Sequence, residues 1–354
     1  MRFIPLTVSK ICADTKNAVV VSLTPPPEHA QAFNFIQGQY ITFRKTFNGE
    51  ELRRSYSICS GINDKDLRVG IKKVDGGWFS TWVNEDLKVG DTLEAMLPNG
   101  KFHAPIEPEK AKTYYAFAAG SGITPILSIV KTILENEPFS NVTLVYNNSS
   151  INTIMFKEEL DDLKNLYMER FALLHVLGHD SGDIDMFVGR LTEEKCEQLF
   201  TTWLDPKNAD YAFICGPEQM MLTVSAALKA HGMAKEKIKF ELFKSDLPKK
   251  ARAKTKTKTS DKTVKATIII DGASRTIDMP AEGMSILEAA MENNIDVPHS
   301  CQAGVCSTCS AKMIEGEGEM EVNYGLEDYE VERGYVLTCQ TYPLSKKITV
   351  DYDQ

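Results

Sequence analysis

Short runs in which apolar and polar residues alternate mark the N-terminal part of the chain. Ala18–Leu23, Gln39–Phe43, Arg68–Lys73 and Thr92–Met96 each read as a half-buried strand, and Pro- and Gly-rich turns separate them. Several short strands at this spacing predict a small antiparallel β-barrel over residues 1–106. The pattern then changes. The continuous apolar run Tyr114-Tyr115-Ala116-Phe117-Ala118-Ala119 leads into a glycine turn and a helical segment, Ile126–Asn136. A second apolar strand, Asn141–Tyr146, precedes a helix over Met155–Leu166, and Phe171–Val176 follows. Ala212–Ile214 runs into Cys215-Gly216-Pro217 and a helix from Glu218. Alternating strands and helices predict an α/β parallel-sheet domain over residues 107–246, with helices on both faces. Ligands of such sheets bind at the carboxyl ends of the strands, where both glycine turns fall.

The last part of the chain, residues 266–354, begins as a hairpin. Thr267–Ile270 and Arg275–Asp278 flank Asp271-Gly272, a dipeptide suited to a tight turn. Ser285 can cap a helix running through Met291, and Glu288 completes a capping box. No internal repeat is visible.

Composition separates these blocks. The chain has 354 residues, 43% of them apolar, enough for two or three domains with proper cores. Residues 247–265 hold eight Lys/Arg against one Asp, and residues 266–354 hold five Lys/Arg against sixteen Asp/Glu. The basic run has almost no large apolar residues, so it reads as a flexible linker. It lacks interleaved aromatics and joins two acidic domains, which argues against nucleic-acid binding. The N-terminus has no apolar stretch of the signal-peptide kind. No run approaches the roughly 18 apolar residues of a membrane span. A cytoplasmic protein with no membrane contact is the expectation.

Four cysteines carry the first chemistry. Cys301, Cys306, Cys309 and Cys339 are spaced C-x4-C-x2-C, then 29 residues, then C. That is the plant-type pattern for a [2Fe–2S] cluster: three thiolates from one tight loop and a fourth from a segment that folds back. Gly304 allows positive φ within the loop. Ser307 and Thr308 leave backbone N–H groups free to face sulfur. Tetrahedral zinc usually arrives as two C-x2-C pairs, and here the fourth Cys is unpaired. Disulfides suit a secreted scaffold better than a chain of this size. Cys12, Cys59 and Cys196 read as small buried or surface residues. An α+β ferredoxin-like (β-grasp) fold is expected for residues 266–354. His103, His175, His179, His231 and His299 show no metal-ligand spacing.

Arg54-Ser55-Tyr56-Ser57, followed by Gly77-Trp78-Phe79-Ser80, resembles the flavin fingerprint of the ferredoxin–NADP reductase superfamily. Gly38-Gln39-Tyr40, Gly90-Asp91 and Pro98-Asn99-Gly100-Lys101-Phe102 match its other landmarks, and the resemblance covers residues 1–246. It implies FAD. Arg54 would pair with a flavin phosphate, which its planar fork suits. Tyr56 would lie against the isoalloxazine ring, and Ser57 would hydrogen-bond near the hydride acceptor. Gly77 would allow close approach of the pyrophosphate, with Ser80 at a helix N-terminus facing it. Gly120-Ser121-Gly122-Ile123-Thr124-Pro125 and Cys215-Gly216-Pro217 resemble the superfamily's nicotinamide domain. That makes Gly120, Gly122, Thr124, Pro125, Gly216 and Pro217 coenzyme contacts, and Ser57 with Cys215 the catalytic pair. An aromatic or acidic residue is expected near the flavin in Glu241-Leu242-Phe243, and Phe243 is taken for that place.

End to end, the chain resembles the reductase subunits of phenylacetyl-CoA ring-1,2-epoxidases. Arg53-Arg54-Ser55-Tyr56-Ser57-Ile58-Cys59 and Tyr335-Val336-Leu337-Thr338-Cys339-Gln340 carry much of that likeness. It implies electron flow from NADPH (or NADH) through FAD and one [2Fe–2S] cluster to a di-iron oxygenase, met in a transient electrostatic complex. Asn147-Asn148-Ser149 stands where that family usually has Gly-Asn-Arg, and the arginine is a natural 2′-phosphate ligand, so both coenzymes stay open. Reductases of Rieske-type oxygenases or hybrid-cluster proteins share the superfamily. A redox-sensing module with no dedicated oxygenase is the reading from another class.

Overall fold

The computed structural model describes residues 3–178, 185–243 and 263–354. Most of the expected linker, 247–265, and His179 lie outside the described residues. By packing the chain forms two compact units.

The larger unit takes in Ile4–Leu52 and Tyr56–Phe243. Its first part is a six-stranded antiparallel sheet of β1 (Ile4–Thr15), β2 (Ala18–Thr24), β3 (Tyr40–Phe47), β4 (Glu50–Ser57), β5 (Leu67–Lys72) and β6 (Thr92–Ala95), ordered β4-β3-β6-β1-β2-β5. Ile4, Leu6 and Val8 are buried while Pro5 and Thr7 are exposed, so the strand period of two selects one face for the core. A bridge between Ile58 and Val69 brings the chain beyond β4 against β5 and closes the barrel. Simple alternation does not disclose β1, for a local reason. Its register shifts between Val8 and Lys10 and again between Ala13 and Thr15, and its second half has no regular period. Helix α1 (Trp78–Glu85) follows β5.

The second part is a five-stranded parallel sheet of β7 (Thr113–Ala119), β8 (Asn141–Asn148), β9 (Phe171–Leu177), β10 (Tyr211–Gly216) and β11 (Ile238–Leu242), ordered β11-β10-β7-β8-β9. Helices α2 (Ile123–Asn136), α3 (Lys157–Leu166), α4 (Glu193–Thr202) and α5 (Glu218–Ala230) connect the strands. Every residue of α2 from Ile123 to Leu134 is buried, including Lys131. The barrel accounts for this. Lys131 Nζ lies 2.6 Å from Asp64 Oδ2 and 2.7 Å from Glu159 Oε1, and Arg68 pairs with the same Glu159 at 2.7 Å. These partly buried charges form one network between barrel and sheet, so each is compensated. The helix expected from Met155 begins at Lys157. Phe156 has φ 56°, which no helix accepts, and its ring stands 2.8 Å from where a Cβ on Gly70 would be.

The C-terminal residues form a five-stranded mixed sheet and a two-stranded one. They comprise β12 (Thr263–Ile270), β13 (Ala273–Pro280), α6 (Ile286–Glu292), β14 (Ser310–Glu315), β15 (Gly318–Met320), α7 (Asp328–Glu332), β16 (Tyr335–Leu337), β17 (Thr341–Pro343) and β18 (Lys347–Asp351). The larger sheet runs β13-β12-β18-β14-β16, and β15 pairs with β17. The hairpin turns at Asp271 and Gly272, with φ 51° and 70°, the left-handed pair a tight two-residue turn requires. The capping box of α6 is formed in both directions between Ser285 and Glu288. No helix among the described residues is long and apolar enough to cross a membrane.

Candidate functional site

Two sites emerge, one in each unit. In the larger unit the carboxyl ends of β7, β10 and β11 lie side by side, and Ser57 at the end of β4 reaches Glu241 of β11. Gly122 closes the turn after β7, and a Cβ there would stand 2.2 Å from the carbonyl oxygen of Cys215. Only glycine lets the start of α2 pass that close to β10. Gly120 has φ 53°, and its carbonyl accepts from Tyr146 Oη at 2.9 Å. Thr124 donates to the carbonyl of Ser121 at 3.1 Å, fixing the same turn, and Pro125 occupies the first turn of α2. Gly216 passes Ala119 and Met220 too closely for a side chain, and Pro217 caps α5.

Ser57, at the end of β4, is buried and donates from Oγ to Glu241 Oε2 at 2.8 Å. Glu241 stands opposite Cys215 in the β10–β11 register. Burial pushes the Glu241 carboxyl up to about 7, partly offset by the Ser57 hydrogen bond. Burial and the neighbouring Glu241 raise the Cys215 thiol well above its usual range, so it stays neutral. Phe243 is exposed just beyond β11, and the residue of this segment that hydrogen-bonds Ser57 is Glu241. A carboxylate facing inward at the carboxyl end of an edge strand was the signal.

Tyr56 is half-buried, its ring 5.7 Å from that of Phe79 and 6.3 Å from that of Phe43. Arg54 is exposed on β4 and donates from Nη1 to the carbonyl of Arg53. Gly77 caps α1, and a Cβ there would meet Ser80 Oγ at 2.8 Å. Ser80 is buried; its hydroxyl accepts from the Val74 N–H and donates to the Gly77 carbonyl. Its side chain therefore shapes the turn, and the first-turn N–H groups of α1 are what the turn offers to a phosphate.

In the smaller unit the cysteine loop Cys301–Cys309 returns a different geometry. The four sulfurs sort into two pairs. Cys301 and Cys306 Sγ lie 3.1 Å apart, and the thiols of Cys309 and Cys339 are hydrogen-bonded. Two pairs are what a binuclear cluster needs, two thiolates to each iron. Gly304 has φ 72°, and a Cβ there would stand 2.6 Å from the Val322 carbonyl oxygen. The N–H groups of Ala303 and Cys306 point at Cys301 Sγ, at 3.4 and 3.3 Å. The Cys306 thiol and these N–H groups hold the Cys301 thiol below its usual range, against the effect of burial. Thr338 donates from its N–H and its hydroxyl to the Cys309 carbonyl, which brings Cys339 beside Cys309. His299 Nδ1 lies 2.8 Å from the carbonyl oxygen of Val297.

Comparison with known proteins agrees with both sites. Residues 6–104 match the oxidoreductase FAD-binding domain family, 117–226 the oxidoreductase NAD-binding domain family, and 268–344 the 2Fe-2S iron-sulfur cluster binding domain family. Fold and site thus define a flavin iron–sulfur oxidoreductase that uses FAD, a [2Fe–2S] cluster and NAD(P)H. The chain is 40% identical over 351 residues to a subunit of the 1,2-phenylacetyl-CoA epoxidase of Escherichia coli K12, covering 99% of this chain and 98% of that protein. It is 30% identical over 358 residues to the ferredoxin reductase component of 3-ketosteroid-9-alpha-monooxygenase of Rhodococcus rhodochrous, covering 99% and 97%. Phthalate dioxygenase reductase shares the fold, with a TM-score of 0.62 at 22% identity over 99% of this chain and 98% of that one. The chain belongs to the family of reductase components that serve multicomponent oxygenases.

Proposed function

We propose that this reductase serves a di-iron oxygenase of the phenylacetyl-CoA epoxidase type, in the cytoplasm. The observation that supports this reading is the end-to-end likeness, at 40% identity, to the subunit of the E. coli epoxidase. On this reading residues 1–106 hold FAD, 107–246 the coenzyme and 266–354 the cluster. When bound, FAD supplies the exchange between a two-electron hydride and the single electrons a [2Fe–2S] cluster takes. Arg54 and the α1 turn at Gly77–Ser80 hold the flavin phosphates. Tyr56 covers the ring, and the turns at Gly120–Pro125 and Gly216-Pro217 hold the coenzyme. Neutral Cys215 packs at the hydride site and keeps water out. Cys301, Cys306, Cys309 and Cys339 ligate the cluster. The test is reconstitution: with the oxygenase subunits encoded beside this chain, NAD(P)H consumption must depend on phenylacetyl-CoA and oxygen. Consumption that depends instead on a substrate of a Rieske-type oxygenase would move the assignment there.

Ser57 and Glu241 together govern one proton. Ionised Glu241 holds the Ser57 hydroxyl proton; protonated, it donates to Ser57 and frees that proton to face the flavin. Flavin reduction by NAD(P)H should therefore slow as pH rises through about 7. Glu241→Gln, whose amide can donate permanently, should flatten that dependence in stopped-flow traces. An unchanged inflection in the variant refutes the pairing. The same shift bears on stability. Native Glu241 keeps its proton to higher pH than the usual 4.5, so its contribution favours the fold at low pH and is lost as pH rises from 4.5 to about 7.

The cluster segment, residues 266–354, is strongly acidic, with sixteen Asp/Glu against five Lys/Arg. A partner with a basic surface would be steered to it in a transient complex. Oxygenase-coupled turnover should fall as salt rises, while ferricyanide reduction changes less. A coupled rate indifferent to salt counts against electrostatic docking.

A further inference from the structure

A chain of hydrogen bonds runs from the phenol of Tyr352 to the cysteine loop. Tyr352 lies just beyond β18, and its Oη donates to Thr338 Oγ1 at 2.7 Å. Thr338 precedes Cys339 and is fully buried. Its Oγ1 donates to the Cys309 carbonyl oxygen at 3.0 Å, and its N–H donates to the same oxygen at 3.2 Å. A threonine hydroxyl has one proton, so with that proton committed to Cys309 the phenol must be the donor. Burial holds the Tyr352 phenol well above its usual range, so it keeps the proton it donates.

The segment is positioned without the phenol oxygen. The Tyr352 N–H donates to the Ile269 carbonyl at 2.9 Å, and the Asp353 carboxylate accepts from the N–H groups of Asp271 and Gly272, each at 2.9 Å. The Tyr352 ring packs against the core that holds Cys309, Leu337 and Cys339. Backbone and ring therefore fix the place, and the hydroxyl serves Thr338 alone.

The sign of the effect follows from the charges. The Cys309 carbonyl oxygen carries partial negative charge beside a ligand sulfur, and that charge opposes an added electron on the irons. Two donors on this oxygen offset it. The phenol polarises the Thr338 hydroxyl and strengthens its bond to Cys309. Hydrogen bonding around the thiolates is one of the levers that set a [2Fe–2S] potential.

We propose that Tyr352 is a positioning residue that raises the reduction potential of the [2Fe–2S] cluster, acting through Thr338 on the Cys309 carbonyl. The proposal rests on the cluster assignment described above. The step it bears on is the gain of one electron by the oxidised cluster, with no proton taken up.

The test uses the full chain loaded with FAD and cluster, titrated electrochemically with the reduced cluster read by electron paramagnetic resonance. Tyr352→Phe keeps the ring and removes only the hydroxyl. It should lower the equilibrium constant for cluster reduction about threefold, or ~30 mV for a one-electron couple. Thr338→Val should lower it at least as much. The double variant should match Thr338→Val, because the phenol acts through the threonine. The flavin potential should stay put in every variant, and cluster content should be unchanged in Tyr352→Phe. An unaltered cluster potential in Tyr352→Phe overturns the proposal, and this variant decides alone if Thr338→Val does not fold. Additive shifts in the double variant also overturn it, since the phenol would then act on the cluster directly. So does loss of the cluster from Tyr352→Phe, which would make the hydroxyl a structural tie. A parent protein without a reduced-cluster signal would instead strike the cluster assignment itself.

Discussion

Cys306→Ser should lose the iron–sulfur absorption and cytochrome c reduction while still reducing ferricyanide with NAD(P)H. Cys306 is buried, and its sulfur lies 3.1 Å from that of Cys301, so the substitution removes one of the two thiolates that pair in that half of the site. A hydroxyl is a far weaker ligand for iron than a thiolate. The residues proposed to serve flavin reduction, Ser57, Cys215 and Glu241, belong to the other compact unit and its separate core. FAD content should therefore stay near one per chain in the variant. Loss of FAD together with the cluster would refute the independence of the two units.

Gly122→Ala should have the largest effect in the coenzyme site. The new methyl would stand 2.2 Å from the Cys215 carbonyl oxygen, 2.6 Å from its carbon and 2.9 Å from the Gly216 nitrogen. All three are backbone atoms of the end of β10, so no side chain can swing away to make room. Either α2 or β10 must move, at a cost of about 2–3 kcal/mol for overpacking a filled site. The movement separates Cys215 and Glu241 from the coenzyme turn. We expect kcat/KM for NAD(P)H to fall about a hundredfold, the loss typical of an ångström-scale misplacement. The cluster spectrum should be unchanged. Turnover within a few-fold of the parent protein would show that this close approach does not matter.

The parts of the site that the sequence disclosed are those whose chemistry demands a fixed spacing. Three cluster ligands come from one nine-residue loop, Cys301–Cys309, so their pattern is local and readable. The Asp271-Gly272 turn and the Ser285–Glu288 box are local for the same reason: both close hydrogen bonds within four residues. The flavin fingerprint was legible only as an ordered set of short motifs. Glu241 was not singled out, because its importance comes from Ser57, 184 residues earlier in the chain.

By itself the sequence determined the barrel, the parallel sheet, the four thiolates and the glycine turns, since periodicity, turn chemistry and ligand spacing are properties of neighbouring residues. Only the tertiary structure decided which distant groups share a pocket. It set the Ser57–Glu241 hydrogen bond that holds a proton near neutrality, and it sorted the cysteines into two pairs. It also decided that Gly122 is glycine for the sake of Cys215, and that Lys131 is buried because Asp64 and Glu159 meet it there. These depend on how strands and helices pack through space, and burial and close approach have no signature along the chain.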